Sequence, residues 1–582
     1  MVHETVGLND SLGNREALER IAAGLLMVGF PGRSVPAGTV NLISRGVRGV
    51  ILFARNIGEA EQVKSLTAQL RALAADDVLI AIDHEGGRVN RLGAAATPWP
   101  SPMAWAATGD IDLTRRAAAV AAQELALLGI NLNFAPVADI LDNYHNAVLG
   151  VRCFSDDPQT VAAYSSAFIE GYRCSKVAAT AKHFPGHGGT SVDSHVDMPT
   201  VDRSVDELER NDLVPFRAAI AAGVDCLMIS HIWYSSLDDA STPATVSKRV
   251  MDLARNGLGY DGVIVTDCME MGAIQNQMTT GEAVVRAIGA GADLALVSHQ
   301  VELQQGALEA LVSAVQDGAL PLSRLMEATR RLDSLRMRVR SAETEQPKGG
   351  EELAQSIAQR SITLIRDEKG FIPLRLANHE ALGIVTFSPQ RPTGVENERP
   401  LQSCLSAMVR NRHAPVIDVP VEAAEPNAIL GALRDTDTVI VGTSFTTGHP
   451  LQRDVLEALL DSGKRVVVLA LSDPFDLFSF PKAPCYLAVY GDTPHQLDAA
   501  LAVVFGEAQA SGRLPVELRG LYPLGHGMRR IRGATHEGRG ANPKPARRLP
   551  RTVGLVEDES FQASESEAYM HERRNREHLK GH

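Results

Sequence analysis

The sequence predicts an α/β protein with two domains in series: an N-terminal (β/α)8 TIM-type barrel, then a smaller three-layer α/β sandwich domain. Three observations carry that prediction. Eight short apolar runs alternate with amphipathic stretches over roughly 300 residues, the count of a (β/α)8 barrel. Run after run ends in a polar, potentially reactive group. A second strand–helix alternation then begins beyond a charged segment that ends EQPKGG.

The candidate barrel strands are LLMVGF (25–30), GVRGVILF (46–53), VLIAIDH (78–84) and NLNFAPV (131–137), followed by VAATAKH (177–183), CLMISH (226–231), GVIVTD (262–267) and LALVS (294–298). Their continuous Val, Ile, Leu and Ala content suits parallel strands buried on both faces. Helical periodicity fills the gaps, as in 59–75, 113–129 and 204–223. A doubly wound sheet is the rival architecture, but no GxGxxG follows the first strand. The strand ends carry Asp83-His84-Glu85, Asp139, Lys182-His183, Ser230-His231 and Asp267. In a barrel these ends converge on one face, where active sites of this fold sit.

The helix-rich segment 322–350 looks like a connection, with the barrel assigned to 1–340 and a linker to 341–350. The second domain, 351–532, is expected to use ITLIRD (362–367), ALGIVTF (381–387), TVIVGTS (438–444), RVVVLALS (465–472) and CYLAVYG (485–491) as strands. The stretch 533–582 is Gly/Pro/Arg-rich, then Ser/Glu-rich, and has no apolar periodicity, so it is expected to be a disordered tail.

Composition narrows the function classes. A hydrophobic fraction of 45% and a charged fraction of 22% are those of a soluble globular chain. A net charge of -13 argues against nucleic acid or an anionic membrane as the main partner. No apolar run is long enough to span a bilayer, and the N-terminus lacks an apolar core of the signal-peptide kind. The six cysteines have no CxxC spacing, which speaks against a disulfide framework or zinc ribbon and for a reducing compartment. The expected location is cytoplasmic.

Three stretches could carry chemistry. The densest is KHFPGHGGTSVDSH, Lys182 to His195, directly after a barrel strand. The spacing Asp193-x-His195 lets the carboxylate reach the imidazole, fixing its tautomer and favouring the protonated ring that a proton donor needs. His183 and His187 are four apart, but Pro185 and Gly186 break the helix that would align them on one metal. The second stretch is VIVTDCMEM, where Asp267 ends an apolar strand; taken alone, it reads as a helix N-cap. Cys268 should face away from Asp267 as a buried core thiol, and Glu270 should sit at a helix start. The third is IDHEGGRVNRL, where Asp83, Glu85, Arg88 and Arg91 surround a Gly-Gly and could grip sugar hydroxyls, or merely hold the rim by salt bridges. Arg152, in GVRCFSDDP, is ambiguous in the same way.

In this order, AIDHEGGRVNRL, NFAPVADI, KHFPGHGGTSVDSH, MISHIWY, PATVS and GVIVTDCMEMGAI closely resemble glycoside hydrolase family 3, and within it the bacterial β-N-acetylglucosaminidase branch that trims GlcNAc from cell-wall muropeptides. The resemblance is strong over roughly 20–340 and weaker over 350–530. It implies Asp267 as nucleophile, His195 as general acid/base and Asp193 as its partner. It further implies Asp83, Arg91, Arg152, Lys182 and His183 as binders of the non-reducing sugar, with Glu85, Arg88 and His187 behind them. Gly189 stands where many relatives carry an acidic residue.

The resemblance implies a retaining double displacement, with no metal and no cofactor. Its expected substrate is a small β-GlcNAc glycoside, handled by a monomer or dimer without nucleic acid or membrane. Two alternatives stay open: phosphorolysis to GlcNAc-1-phosphate, because a neutral imidazole does not repel phosphate as a carboxylate would, and a catalytically inert sugar-binding protein.

Overall fold

A computed structural model of the chain describes residues 15–529, apart from 76, 147, 191–193, 195–196, 239–241, 341–346, 377–379, 388–401, 413–415, 422–424 and 447–448. Asp193, His195, most of the linker and the expected tail therefore lie outside the described residues.

All eight expected barrel strands form: β1 (Leu26–Val28), β2 (Gly49–Leu52), β3 (Leu79–Ile82), β4 (Leu132–Asn133), β5 (Ala178–Phe184), β6 (Cys226–Ile229), β7 (Val263–Cys268) and β8 (Leu294–Val297). They pair in parallel and in sequence order, and β1 also pairs with β8, which closes the barrel. Closure leaves no edge strand, and the strand interiors are almost entirely buried. Helices pack outside. The helix Ile111–Leu127 starts where the Asp110 carboxylate accepts the Leu113 N–H at 2.9 Å, and it turns Leu113, Ala117, Ala121 and Leu125 inward.

Two helical expectations change. The stretch 204–223 is two helices, Val205–Arg210 and Leu213–Ala221, not one. Pro215 is the reason, because its ring would collide with the carbonyl four residues back in a continuous helix. The segment that looked like a connection contains the helix Leu322–Val339, whose Leu325, Ala328, Leu332 and Leu335 are part of the barrel's apolar core.

Beyond it, the helix Gly350–Ser361 places Ala354 and Ile357 in the barrel core and Ala358 in a second core. A six-stranded sheet follows: β9 (Thr363–Asp367), β10 (Leu382–Phe387), β11 (Val416–Val421), β12 (Thr438–Thr443), β13 (Arg465–Ala470) and β14 (Cys485–Ala488). The spatial order is β9-β14-β13-β12-β10-β11, with only β9 antiparallel to its neighbour. The sequence reading missed β11. It lies at the edge, half-exposed, and contains Pro420, a residue that edge strands tolerate because one side of the ladder needs no donor. No helix among the described residues is long and apolar enough to cross a membrane.

Candidate active site

At the C-terminal ends of the barrel strands lies a cavity of about 930 Å³, in the size range of small-molecule sites. Asp83, Arg91, Arg152, Lys182, His183 and Asp267 all line it. Six of the eight residues given catalytic or sugar-binding roles by the resemblance are thus brought together. The other two, Asp193 and His195, fall outside the described residues, but Ser194 between them lines the same cavity.

Local irregularities in the strands aim these groups. Strand β5 shifts register against β6 between Lys182 and Phe184, and Lys182 and His183, neighbours in the chain, both reach the cavity. Strand β7 shifts against β8 between Val265 and Cys268 in the same way. Here the expectation for Cys268 needs correction. It is buried, but it does not point away from the site: the bulge breaks the strict alternation of side chains, and Asp267 and Cys268 both line the cavity.

The charged groups form one network. Lys182 Nζ lies 2.7 Å from Asp83 Oδ1 and 2.6 Å from Glu85 Oε1. Arg152 grips Glu85 with two parallel bonds, Nε and Nη2 each 2.8 Å from a carboxylate oxygen. Burial by itself would raise the Glu85 carboxyl, but the Arg152 guanidinium and then the Lys182 ammonium outweigh it and hold Glu85 below the usual carboxylate range. Burial likewise works against the Lys182 ammonium, yet Asp83 and Glu85 keep its affinity for the proton above normal. Two cations therefore face the cavity fully charged, braced from behind by a carboxylate that does not itself line it.

Asp139 plays the same part for the histidines. It is fully buried, and its Oδ2 lies 2.7 Å from His183 Nδ1, while its Oδ1 accepts the His187 N–H at 2.7 Å. Burial opposes the Asp139 charge, but His183 and then His187 together outweigh it and hold the carboxyl below its ordinary value. Bonding at Nδ1 fixes the His183 ring and leaves Nε2 as its ligand-facing nitrogen. His187 is deeper; burial and the neighbouring His183 push its imidazole down to about 4. Its Nδ1 meets Thr190 Oγ1 at 3.0 Å, and its Nε2 lies 3.4 Å from Ser194 Oγ.

Glu270 does sit at a helix start, but that of a later helix. Its carboxylate accepts the N–H groups of Ser298, His299 and Gln300 at 2.5, 2.7 and 2.9 Å, just ahead of the helix Val301–Gln316. Cys268 Sγ, the Glu270 carboxylate and the His299 ring approach within 4.8 Å of one another, the one such candidate metal cluster among the described residues. Glu270 is already saturated by backbone donors, and burial pushes the Cys268 thiol up to about 12, so this donor set suits a metal poorly. The strand-end residues Ser230 and His231 do not line the cavity; His231 ties the strand ends together through Thr245 and the Cys268 carbonyl.

The sequence reading overlooked the wall formed after β1, β2 and β8. Arg33, Phe53, Arg55 and His299 line it, with the Arg55 guanidinium over the Phe53 ring at 4.2 Å and the His299 ring tilted against it at 5.3 Å. The signal was present in ILFARN and LVSHQ, whose polar and aromatic residues also follow barrel strands.

A closed parallel barrel whose strand ends aim carboxylates, guanidinium groups and an ammonium into one cavity is the build of a barrel enzyme for a small polar substrate. Residues 19–335 match the family model described as the glycosyl hydrolase family 3 N-terminal domain. The chain belongs to glycosyl hydrolase family 3 and is a glycoside hydrolase. It is 30% identical over 560 residues to the beta-hexosaminidase A of Pseudoalteromonas piscicida, covering 83% of this chain and 91% of that one. The beta-hexosaminidase of Stenotrophomonas maltophilia is 38% identical over 295 residues, 49% of this chain and 87% of its own. Among solved structures, a family 3 beta-N-acetylglucosaminidase from Paenibacillus sp. str. FPU-7 superposes with a TM-score of 0.82 at 36% identity, over 86% of this chain and 99% of that one.

Proposed function

We propose that this chain is a retaining exo-β-N-acetylglucosaminidase that removes terminal β-linked GlcNAc from small glycosides. The observation that carries the reading is the position of Asp267. Its carboxylate ends β7 at the wall of a cavity into which Asp83, Arg91, Arg152, Lys182 and His183 also project. The names of the relatives above supply the sugar.

In this reading the non-reducing GlcNAc is held by charge-assisted hydrogen bonds. The Asp83 carboxylate accepts from its hydroxyls, and Arg91, Arg152 and Lys182 donate to them. The Glu85 and Asp139 carboxylates keep Arg152, Lys182 and His183 from turning, so little ordering remains to be done on binding. Asp267 attacks the anomeric carbon as His195, supported by Asp193, protonates the departing oxygen. Water deprotonated by the same imidazole then opens the glycosyl-enzyme with retention. Support for that assignment comes from the Asp193-x-His195 spacing and from Ser194 at the cavity wall.

One paired experiment tests it. Asp267→Asn is expected to abolish turnover of activated and natural β-GlcNAc glycosides alike, because the amide forms no covalent bond. His195→Ala is expected to spare activated phenol glycosides and to slow those with basic leaving groups by about two orders of magnitude or more. An Asp267→Asn enzyme with a few per cent of wild-type rate would place the nucleophile elsewhere. Equal losses across the leaving groups would remove His195 as the acid. The same assays with inorganic phosphate added separate hydrolysis, which releases GlcNAc, from phosphorolysis, which releases its 1-phosphate.

A further inference from the structure

The segment between Ala138 and Asp157, which follows β4, lies against the cavity yet draws its own support from the sandwich. Its two ends are rooted in the barrel cluster by Ala138, Ile140 and Phe154, but Leu141, Leu149, Val151 and Cys153 between them are buried in the apolar cluster of the sandwich. Around them the sandwich touches this arm repeatedly. Tyr144 packs its ring on Phe478 at 4.9 Å and Phe475 at 5.8 Å. The Glu517 N–H donates to Asp156 Oδ2 at 2.7 Å, and the Ser155 hydroxyl donates to the Pro515 carbonyl.

A second clamp closes on the turn at Gly150. Arg88, in the Gly-Gly-Arg turn after β3, donates to the Leu149 carbonyl at 3.1 Å and lies 4.4 Å from the centre of the Phe445 ring. Gly150 has φ +44 and lies against both Arg88 and the sandwich residue Asp473: a side-chain carbon placed there would meet Arg88 Nη2 at 3.0 Å and Asp473 Oδ2 at 3.4 Å, and the attraction of Arg88 works against the burial that raises the Asp473 carboxyl. Phe445 itself has φ +53, uncommon for an aromatic residue, and is held in it under the guanidinium.

The inner side of the arm meets the site. Val148 and Arg152 line the cavity. Asn146 Nδ2 donates to the His187 carbonyl at 3.1 Å and to Thr190 Oγ1 at 3.0 Å, and Asn143 Nδ2 donates to the Thr190 carbonyl at 3.1 Å. Thr190 is the last described residue before Asp193 and His195, Ser194 apart. No described residue of the sandwich lines the cavity itself.

We infer that the sandwich is a brace for the active site: by holding the Ala138–Asp157 arm through Tyr144 and Asp473, it keeps Arg152 and the Thr190 end of the acid/base loop in register. Tyr144 and Asp473 are positioning residues that touch no substrate. The inference rests on the proposed sugar-binding role of Arg152, and its test includes a readout that needs no substrate.

The test uses the full chain with Tyr144→Ala, Phe478→Ala, their double variant and the near-isosteric Asp473→Asn. Tyr144 is 38% exposed, so its truncation leaves the core intact and carries the test should Asp473→Asn fold poorly. Amide hydrogen exchange over 138–157 is expected to quicken about tenfold or more in each variant while the rest of the barrel keeps its protection. KM for an aryl β-GlcNAc glycoside is expected to rise about tenfold, with the double variant no worse than the worse single one, since both rings act through one contact. Unchanged exchange and KM overturn the inference. So does a lowered melting midpoint with wild-type kinetics, which would make the sandwich a mere stabiliser. Fully multiplicative losses would mean that Tyr144 meets the substrate directly, and they overturn it as well. Should the wild-type chain turn over no β-GlcNAc glycoside, the proposed reaction fails, while the exchange comparison still decides whether the brace exists.

Discussion

At the scale of single residues, the site divides into groups that face the cavity and groups that hold them. Glu85 and Asp139 are buried carboxylates whose neighbours offset the cost of keeping them charged; removing Glu85 would take from Arg152 the carboxylate it grips and from Lys182 one of two, and removing Asp139 would take from His183 the acceptor at its Nδ1. His187 is held neutral, and this has a pH signature. Its pKa is about 4 in the fold against 6.5 in an unfolded chain. Between those values the unfolded chain takes up a proton that the folded one refuses, so stability rises with pH across the window and is lost as pH falls from 6.5 towards 4. The group accounts for at most on the order of 3 kcal/mol of this loss. His187→Gln is therefore expected to be less stable than the wild type at pH 7 but to lose less on acidification, so that the melting midpoints converge by pH 4.5. Parallel midpoint curves for the two proteins would show that His187 is not kept neutral by the fold. Asp83 and Asp267 were legible in sequence because each ends an apolar run directly. The braces were less so, because a buried ion pair between residues 67 apart, such as Glu85 and Arg152, leaves no local pattern.

At the scale of elements, the barrel strands were the most legible part, since a parallel strand buried on both faces is a continuous apolar run. What the pattern could not show is where strands cease to be regular. The bulges in β5 and β7 put Lys182 beside His183 and Asp267 beside Cys268 on one wall, and no periodicity of two anticipates that. The edge strand β11 was lost for the opposite reason: half-exposed and interrupted by Pro420, it has no apolar run to see. The stretch after β5 is held by close backbone approach. Gly188 accepts the Asn143 N–H on its carbonyl at 3.2 Å, and a side-chain carbon on Gly188 would overlap the Ile140 carbonyl. Gly188→Ala is accordingly expected to displace the loop from the arm and lower kcat/KM by about a hundredfold, with a modest drop in melting midpoint. Near-wild-type kinetics in this variant would show that the register of the loop against the arm is unimportant for turnover. Gly189 differs in degree: the atoms nearest a carbon there belong to the Arg203 guanidinium, which Asp142 and Asp212 hold, rather than to backbone, so Gly189→Ala is expected to cost less than Gly188→Ala.

At the scale of the whole molecule, the question is why a chain that aligns over 49% of its length with 87% of a beta-hexosaminidase of Stenotrophomonas maltophilia has a second domain joined to its barrel. The cores answer part of it. Met103, Ala104 and Ala107 from the helix Pro102–Ala107, with Val137, Leu141, Leu149, Val151 and Cys153, are packed in one cluster with Phe475, Phe480, Tyr486 and Val516 of the sandwich. Ser101 and Arg513 add bonds across the same boundary, to the Tyr490 and Ala107 carbonyls. A barrel cut at residue 340 would expose this apolar face to water, a contiguous patch of the kind that drives association. The fragment 1–340 is therefore expected to be aggregation-prone, to bind a hydrophobic dye such as ANS and to melt well below the full chain. A chain ending at 529 keeps both cores whole, and its midpoint and turnover are expected to match those of the full chain. A soluble, fully active 1–340 fragment would show that the shared cluster is dispensable and that the barrel of this chain needs no second domain.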